Sequence, residues 1–340
     1  MRIAFDTAPL VRPYPPGVVR ATRGLLEGLR EHTALEVLEL APGKGEGERW
    51  WRQRKLPRQA AAAACAGIHS PVSAFAWRGP GRRVQTMHEL PWRHDAHENS
   101  GLTHRFWARF GPSRADAVIC PTEIVRRDLQ AESPRAKAKL FACPWGLGQA
   151  FADVRQGNRE PDSHGRPFAL AVGAVRRKKN LAACLRALAC GTPPLGDELD
   201  LVVTGPPTED LDADLELARA LGLEQRVRVA GNIADSELAD LMAHAACVVV
   251  LSRSEGFGFP VLEALACGTP VVVSAGSAQA EVAGSEGIVV DPDDSLAVAA
   301  AFRRALGEPE EACTQRRTRA AEFTWRRCAR QVEELWRRWE

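Results

Sequence analysis

Short runs of aliphatic and β-branched residues alternate with longer stretches of helical period along most of the chain, and this alternation limits the fold more than any other feature. A strand followed by a helix and another strand returns parallel to the first, so the pattern predicts an α/β protein on parallel sheets. In the first half Arg2–Asp6, Ala34–Leu40, Val84–Met87, Ala117–Ile119 and Leu140–Ala142 read as strands, and Val18–Arg30, with Leu25, Leu26 and Leu29 on one side, reads as a helix. In the second half the strands Phe168–Val172, Leu201–Val203, Val227–Val229 and Cys247–Leu251 alternate with the helices Asn180–Cys190, Leu211–Leu221 and Ser236–Ala245.

Between the halves the alternation fails. Residues 151–166 include Gln156-Gly157-Asn158-Arg159-Glu160-Pro161-Asp162, polar and turn-forming throughout, which marks a linker between one domain at 1–150 and a second at 167–322. A length of 340 residues also exceeds what one core usually serves. In 323–340, Trp325, Cys328, Val332, Leu335 and Trp336 fall at helical spacing among arginines, so an amphipathic terminal helix is expected, with an apolar stripe that needs a surface to cover. The run Ala60–Ala64 reads as a helix interior. Trp50-Trp51-Arg52-Gln53-Arg54-Lys55 and the terminal helix both interleave aromatics with cations; a solvated helix face or peripheral contact with a membrane fits that pattern.

Charge excludes one class of partner. Lys and Arg number 45 against 43 Asp and Glu, so no overall field favours nucleic acid. The nine cysteines contain no C-x-x-C pair, and Cys120, Cys247 and Cys267 sit inside apolar runs, as reduced buried thiols do. Met1-Arg2 leads straight into Ile3-Ala4-Phe5 without a secretory leader, and no run approaches the roughly 20 apolar residues of a membrane span. A cytoplasmic protein, membrane-peripheral at most, is the expectation.

The stretch from Cys247 to Val273 carries the chemistry. A buried strand ends at Leu251, the loop Ser252-Arg253-Ser254-Glu255-Gly256-Phe257-Gly258-Phe259 follows, Pro260 opens a helix, Gly268 closes it, and a second buried strand begins at Val271. Ligands of open parallel sheets bind at the carboxyl ends of strands, where this loop lies. Gly256 and Gly258 let backbone amides approach a ligand, and the helix start suits an anion such as a diphosphate. Glu255 and Glu263 would repel that anion, so their natural partners are hydroxyls. Alternatively, loop and helix serve only the fold.

Glu255-Gly256-Phe257-Gly258-x-Pro260-x-x-Glu263-Ala264-x-Ala266-x-Gly268-x-Pro270-Val271 resembles the signature of the retaining family-four glycosyltransferases, two glutamates separated by seven residues. The resemblance implies the GT-B fold, two Rossmann-like parallel-sheet domains facing across a cleft, and transfer of a sugar from a nucleoside-diphosphate sugar to a glycan, lipid-linked or small-molecule acceptor, as in polysaccharide biosynthesis. It implies that Glu255 contacts sugar hydroxyls, that amides of Gly256, Phe257, Gly258 and Phe259 hold sugar and phosphate, and that Glu263 holds the ribose. It is similar again at Val172-Gly173-Ala174-Val175-Arg176-Arg177-Lys178-Lys179-Asn180-Leu181. There Lys179 matches the lysine on the donor diphosphate, Lys178 replaces an arginine, and Ala174 stands where many members carry an arginine, which leaves Arg176 or Arg177 to supply that contact. Near the N-terminus, Pro15-Pro16-Gly17-Val18, opening a helix after the first strand, looks like the glycine loop facing the diphosphate. Val84-Gln85-Thr86-Met87-His88-Glu89 looks like a strand ending in His-Asp, with Glu89 for the aspartate and His88 near the anomeric carbon. Glu281, after the last strand, corresponds to a position beside the nucleotide, and the Trp325 helix of 323–340 resembles the family's terminal helix, which crosses back onto the N-terminal domain. The implied donor is a substrate, and no cofactor is expected.

Other readings compete. His88, Glu89, His94, Asp95, His97, Glu98 and His104 cluster, but at no zinc spacing, and no metal is expected. Gly256-Phe257-Gly258 after a strand suggests a dinucleotide site, yet the third glycine of that fingerprint is Val261. An epimerase or phosphorylase would share the donor site, and Ala174 with Glu89 would suit a non-catalytic nucleotide-sugar-binding protein. For the transfer itself, front-face attack, with the leaving phosphate taking the acceptor's proton, competes with a double displacement through a carboxylate.

Overall fold

The computed structural model describes residues 1–94, 101–152, 166–190, 195, 198–309 and 311–340. Most of the expected linker, 153–165, and Asp95, His97 and Glu98 lie outside the described residues. The chain divides into two compact units, Met1–Gly146 with Phe323–Glu340, and Leu147–Glu322.

The first unit is built on six parallel strands, β1 (Arg2–Asp6), β2 (Glu36–Leu40), β3 (Gly67–Ser70), β4 (Arg82–Thr86), β5 (Ala117–Cys120) and β6 (Leu140–Ala142), in the order β2-β1-β3-β4-β5-β6. The second has β7 (Phe168–Ala171), β8 (Asp200–Thr204), β9 (Val227–Gly231), β10 (Cys247–Val250), β11 (Val271–Ser274) and β12 (Gly287–Val290), in the order β12-β11-β10-β7-β8-β9, again all parallel. Central strands are covered on both faces and read as unbroken apolar runs: Val248, Val249 and Val250 pair with Val271, Val272 and Val273, all buried. In each sheet strand order reverses beside the unit's first strand, between β1 and β3 and between β7 and β10.

Two strands have weaker sequence patterns and went unread. β3 carries one β-branched residue in Gly67-Ile68-His69-Ser70, and β12 is an edge strand with Val289 exposed. Glu281 therefore does not follow the last strand; it lies on helix Ala278–Ala283, after β11 and before β12. Ala60–Ala64 is not a helix interior either, because the helix Leu56–Ala62 ends there and Ala64 turns to a φ of +53°.

Trp325–Arg337 is helical and buries Cys328, Ala329, Val332, Leu335 and Trp336 against helix Pro16–His32 within the first unit. Gly24 makes that approach possible, since a Cβ there would stand 2.1 Å from the Trp325 ring. The apolar stripe of this helix is thus covered by protein, which removes it as a membrane contact. The Trp50–Lys55 segment is likewise not a fully solvated face: Trp51 enters the core, and buried Arg52 pairs with Asp6 and Glu48, each at 2.6 Å.

Candidate functional site

After β7 the chain turns at Gly173, whose φ of +98° favours glycine and whose N–H donates to the Thr204 carbonyl at 3.1 Å. Gly205, after β8, packs so close that a Cβ on it would lie 2.4 Å from the Gly173 carbonyl carbon. Arg177–Lys179 forms one short helical turn, and left-handed Asn180, φ +55°, redirects the chain into helix Leu181–Ala189. Lys179 then lies along Gly173: a Cβ on the glycine would sit 3.8 Å from its Nζ.

The loop after β10 meets this turn. Arg253 N–H donates to the Lys178 carbonyl at 2.8 Å, and Lys179 Nζ lies 2.7 Å from Glu255 Oε1. Buried Gln279 steadies the loop from the other side through its Nε2 and the Ser252 carbonyl, 3.3 Å apart. Gly258, φ +96°, precedes helix Phe259–Cys267, where Pro260 in the first turn loses no amide partner. Phe257 is buried with its ring centroid 5.2 Å from that of Phe259, and Glu263 is buried farther along the helix.

Arginines of helix Ala312–Ala321 hold the far ends of the helices around the loop. Arg316 Nη1 donates to the Gly268 carbonyl at 2.9 Å, Arg317 Nη2 to that of Cys267 at 3.2 Å, and Arg319 to those of Val282 and Glu281 at 3.0 and 2.9 Å. Cations at helix C-termini complement the orphan carbonyls and the dipole. These arginines and Gln279 were missed from the sequence. Thr204-Gly205-Pro206-Pro207 carried a turn signal, whereas Arg316-Arg317 looks like a solvated charge run.

Burial pushes the Glu255 carboxyl upward, but the charges of Lys179 and Lys178 and hydrogen bonds from Lys179 and Ser252 outweigh it and hold the group below the usual glutamate range. It is a carboxylate at neutral pH. The Lys179 and Glu255 side chains keep 21% and 17% of their surface exposed, so the pair remains within reach of a ligand.

Of the expected site residues, Gly173, Lys178, Lys179 and Glu255 come together where β7 and β10 part, with Gly256–Phe259 continuing from Glu255 and Glu263 on the helix beyond. Arg177 stays at the exposed surface, its N–H donating to Asp210 Oδ2 at 3.0 Å. In the first unit Gly17 is exposed in the first turn of helix Pro16–His32, whose helical φ Pro16 has already set. His88 follows β4, with Nε2 2.8 Å from the Pro71 carbonyl and its ring centroid 5.8 Å from that of Trp145; burial lowers its pKa. Other members of the histidine cluster have separate partners, His94 with Asp128 and His104 Nε2 at 3.4 Å from Met87 Sδ. Among the described residues no three His, Cys, Asp or Glu side chains are arranged to hold a metal ion.

Residues 155–323 match the family described as Glycosyl transferases group 1. Over 168 residues the chain is 32% identical to the O-antigen chain mannosyltransferase B of Escherichia coli, an alignment covering 48% of this chain and 44% of that protein. The chain spans about half the length of the relatives it matches. A sucrose-phosphate synthase structure from Thermosynechococcus elongatus has a TM-score of 0.76 with 20% identity, over 99% of this chain and 98% of that one. HepE from Anabaena in complex with UDP-glucose has a TM-score of 0.76 with 17% identity, over 98% of this chain and 99% of that one. The fold is GT-B, and the segment that matches the family covers nearly all of the second unit.

Proposed function

We propose that the protein is a retaining glycosyltransferase of the family-four kind, moving a sugar from a nucleoside-diphosphate sugar to a glycan, lipid-linked or small-molecule acceptor. The observation that carries this reading is the partly exposed Lys179–Glu255 pair at the reversal point between β7 and β10, where open parallel sheets bind their ligands. The UDP-glucose complex of a protein with the same fold supports a nucleotide sugar as the donor.

Transfer requires a diphosphate to leave an oxocarbenium-like sugar, and the barrier falls when fixed positive groups meet the departing charge. In this reading Lys179 and Lys178 supply that charge together with the amides from Gly256 to Phe259, rather than a metal ion. Without donor, Lys179 and Glu255 neutralise each other. Donor binding exchanges that contact for two others, Lys179 to the diphosphate and Glu255 to sugar hydroxyls, while Glu263 takes the ribose. The leaving phosphate oxygen accepts the acceptor's proton on the same face, so neither glutamate becomes glycosylated. The roles the resemblance gives His88 and Gly17 belong to the same proposal.

Calorimetric titration with a panel of nucleoside diphosphates and their sugars, in the presence of a chelator, tests it. One nucleotide should bind selectively, and Lys179→Ala and Glu263→Ala should each weaken it by about tenfold to a hundredfold, the worth of a hydrogen bond to a charged group. Retention follows if the anomeric configuration of the first-formed product, read by proton NMR, matches the donor's. Failure of the wild type to bind any member of the panel overturns the proposal.

A further inference from the structure

Half of the large apolar side chains exposed among the described residues gather in one place in the first unit. Helix Gly101–Arg114 presents Leu102, Phe106 and Phe110 at intervals of four residues, with 87%, 43% and 47% of their surfaces exposed. Trp50, 53% exposed, is next in the chain to Arg49, which donates from Nη2 to Thr103 Oγ1 of this helix at 2.6 Å. An ordinary surface helix turns apolar residues inward. This one buries Ala108, Gly111 and Pro112 and turns Leu102, Thr103, Phe106, Arg109, Phe110 and Ser113 outward, the spacing of one helical face.

The charges on the helix itself have one sign. The helix carries three arginines and no carboxylate. Arg109 lies over the Phe110 ring at 6.0 Å, with Glu132 3.9 Å away, and Arg114 lies over Trp77 at 4.1 Å. Lys55 lies over Trp50 at 5.3 Å. The carboxylates near Trp50 are engaged, Glu46 with Lys55 and Glu48 with Arg52 and Tyr14. Leucine and phenylalanine that reach into an acyl boundary, a tryptophan suited to the headgroup level and arginines around them match an anionic lipid surface in both polarity and charge.

We infer that the face formed by Trp50, Leu102, Phe106 and Phe110 docks the protein on an anionic membrane surface. Neither the apolar stripe of the terminal helix nor Arg52 takes part, since both are buried. The inference is independent of the sugar-transfer reading, because its residues are all in the first unit and its test involves no nucleotide.

Co-sedimentation of the full chain with vesicles tests it. The wild type should pellet with vesicles of equal parts phosphatidylcholine and phosphatidylglycerol, should be released by raised salt, and should stay in solution with phosphatidylcholine alone. Leu102→Glu alters the most exposed side chain, so folding should be kept, and it should lower vesicle affinity about tenfold or more, as losing one inserted side chain and adding a like charge to an anionic surface requires. Arg109→Glu should weaken binding and flatten its salt dependence while leaving the melting temperature unchanged. A wild type that does not pellet with anionic vesicles overturns the inference, as does Leu102→Glu binding them undiminished. Concentration-dependent self-association abolished by Leu102→Glu, without vesicle binding, would assign the face to a second copy of the chain and overturn it as well.

Discussion

The two sheets reverse their strand order in the same way, and each places an ion pair near that point, yet the two pairs have different environments. Beside β1, Asp6 and Arg52 meet at 2.6 Å with side chains 0% and 3% exposed, and the carboxylate also accepts the Ala8 N–H at 3.0 Å. Beside β7, Lys179 and Glu255 meet at 2.7 Å with 21% and 17% exposed. The first pair is enclosed by the helix that supplies Arg52. The second lies between two glycine-bearing turns that leave it open. Near the same point of one architecture, one unit thus holds an enclosed pair and the other an accessible pair, and access to the charges distinguishes them.

The largest expected effect tests that contrast directly. Arg52→Met leaves Asp6 as an uncompensated buried carboxyl and should destabilise the protein by about 3–5 kcal/mol in denaturant titration. Lys179→Ala, in contrast, leaves Glu255 with partial access to water and should change nucleotide affinity far more than the unfolding midpoint. If Arg52→Met proves as mild as a surface substitution, the first pair is not the structural element its burial implies and the comparison fails.

How far the sequence revealed these two points follows from the same difference. Around β10 each residue type serves a local need: Gly258 for a left-handed turn, Pro260 for the opening turn, Gly268, φ +79°, for the close. Such local requirements leave a pattern in order along the chain, so loop, helix and both glutamates could be placed from it. The β1 pair joins residues 46 positions apart, and Arg52 lies in a run of aromatics and cations that reads equally well as a solvated face. Arg316 and Arg319 escaped for the same reason, since a side chain that caps a distant helix has no spacing to betray it. β3 and β12 were lost because one strand has a single branched residue and the other alternates at a sheet edge.

Acidification should separate the two points by pH. His69, on β3 beside β1, is fully buried, with neither ring nitrogen hydrogen-bonded and its ring centroid 5.1 Å from that of Phe5; burial depresses its pKa from 6.5 to about 3. Above 6.5 both folded and unfolded chains carry it neutral. Between that value and about 3 the unfolded chain binds a proton that the folded chain refuses, so stability falls as pH falls, by about 1.4 kcal/mol per unit from this group. Glu255 is depressed in the folded chain, so its contribution is full above the ordinary glutamate range and is lost only as pH falls through its lowered pKa. Urea titrations at a series of pH values should show the first loss in the wild type and a shallower slope in His69→Phe. Equal slopes in the two proteins would mean that His69 takes its proton within the fold.

The smallest effect concerns geometry rather than charge. Gly258 holds a φ of +96°, and a Cβ on it would approach Gln279 Cγ to 3.2 Å, so alanine must either strain the turn or displace Gln279. Gly258→Ala should cost about 1–2 kcal/mol of stability, the penalty of left-handed backbone for a residue with a Cβ. It should also weaken nucleotide binding, because the turn aims the first amides of helix Phe259–Cys267. Gly24→Ala in the first unit would press its Cβ into the Trp325 ring and should destabilise the protein more, with no effect on affinity in the fraction that folds. Denaturant titration and calorimetry on both variants separate the outcomes. If Gly258→Ala lowers stability but leaves affinity intact, the amides of this turn do not hold the ligand, and the open site works through Lys179 and Glu255 alone.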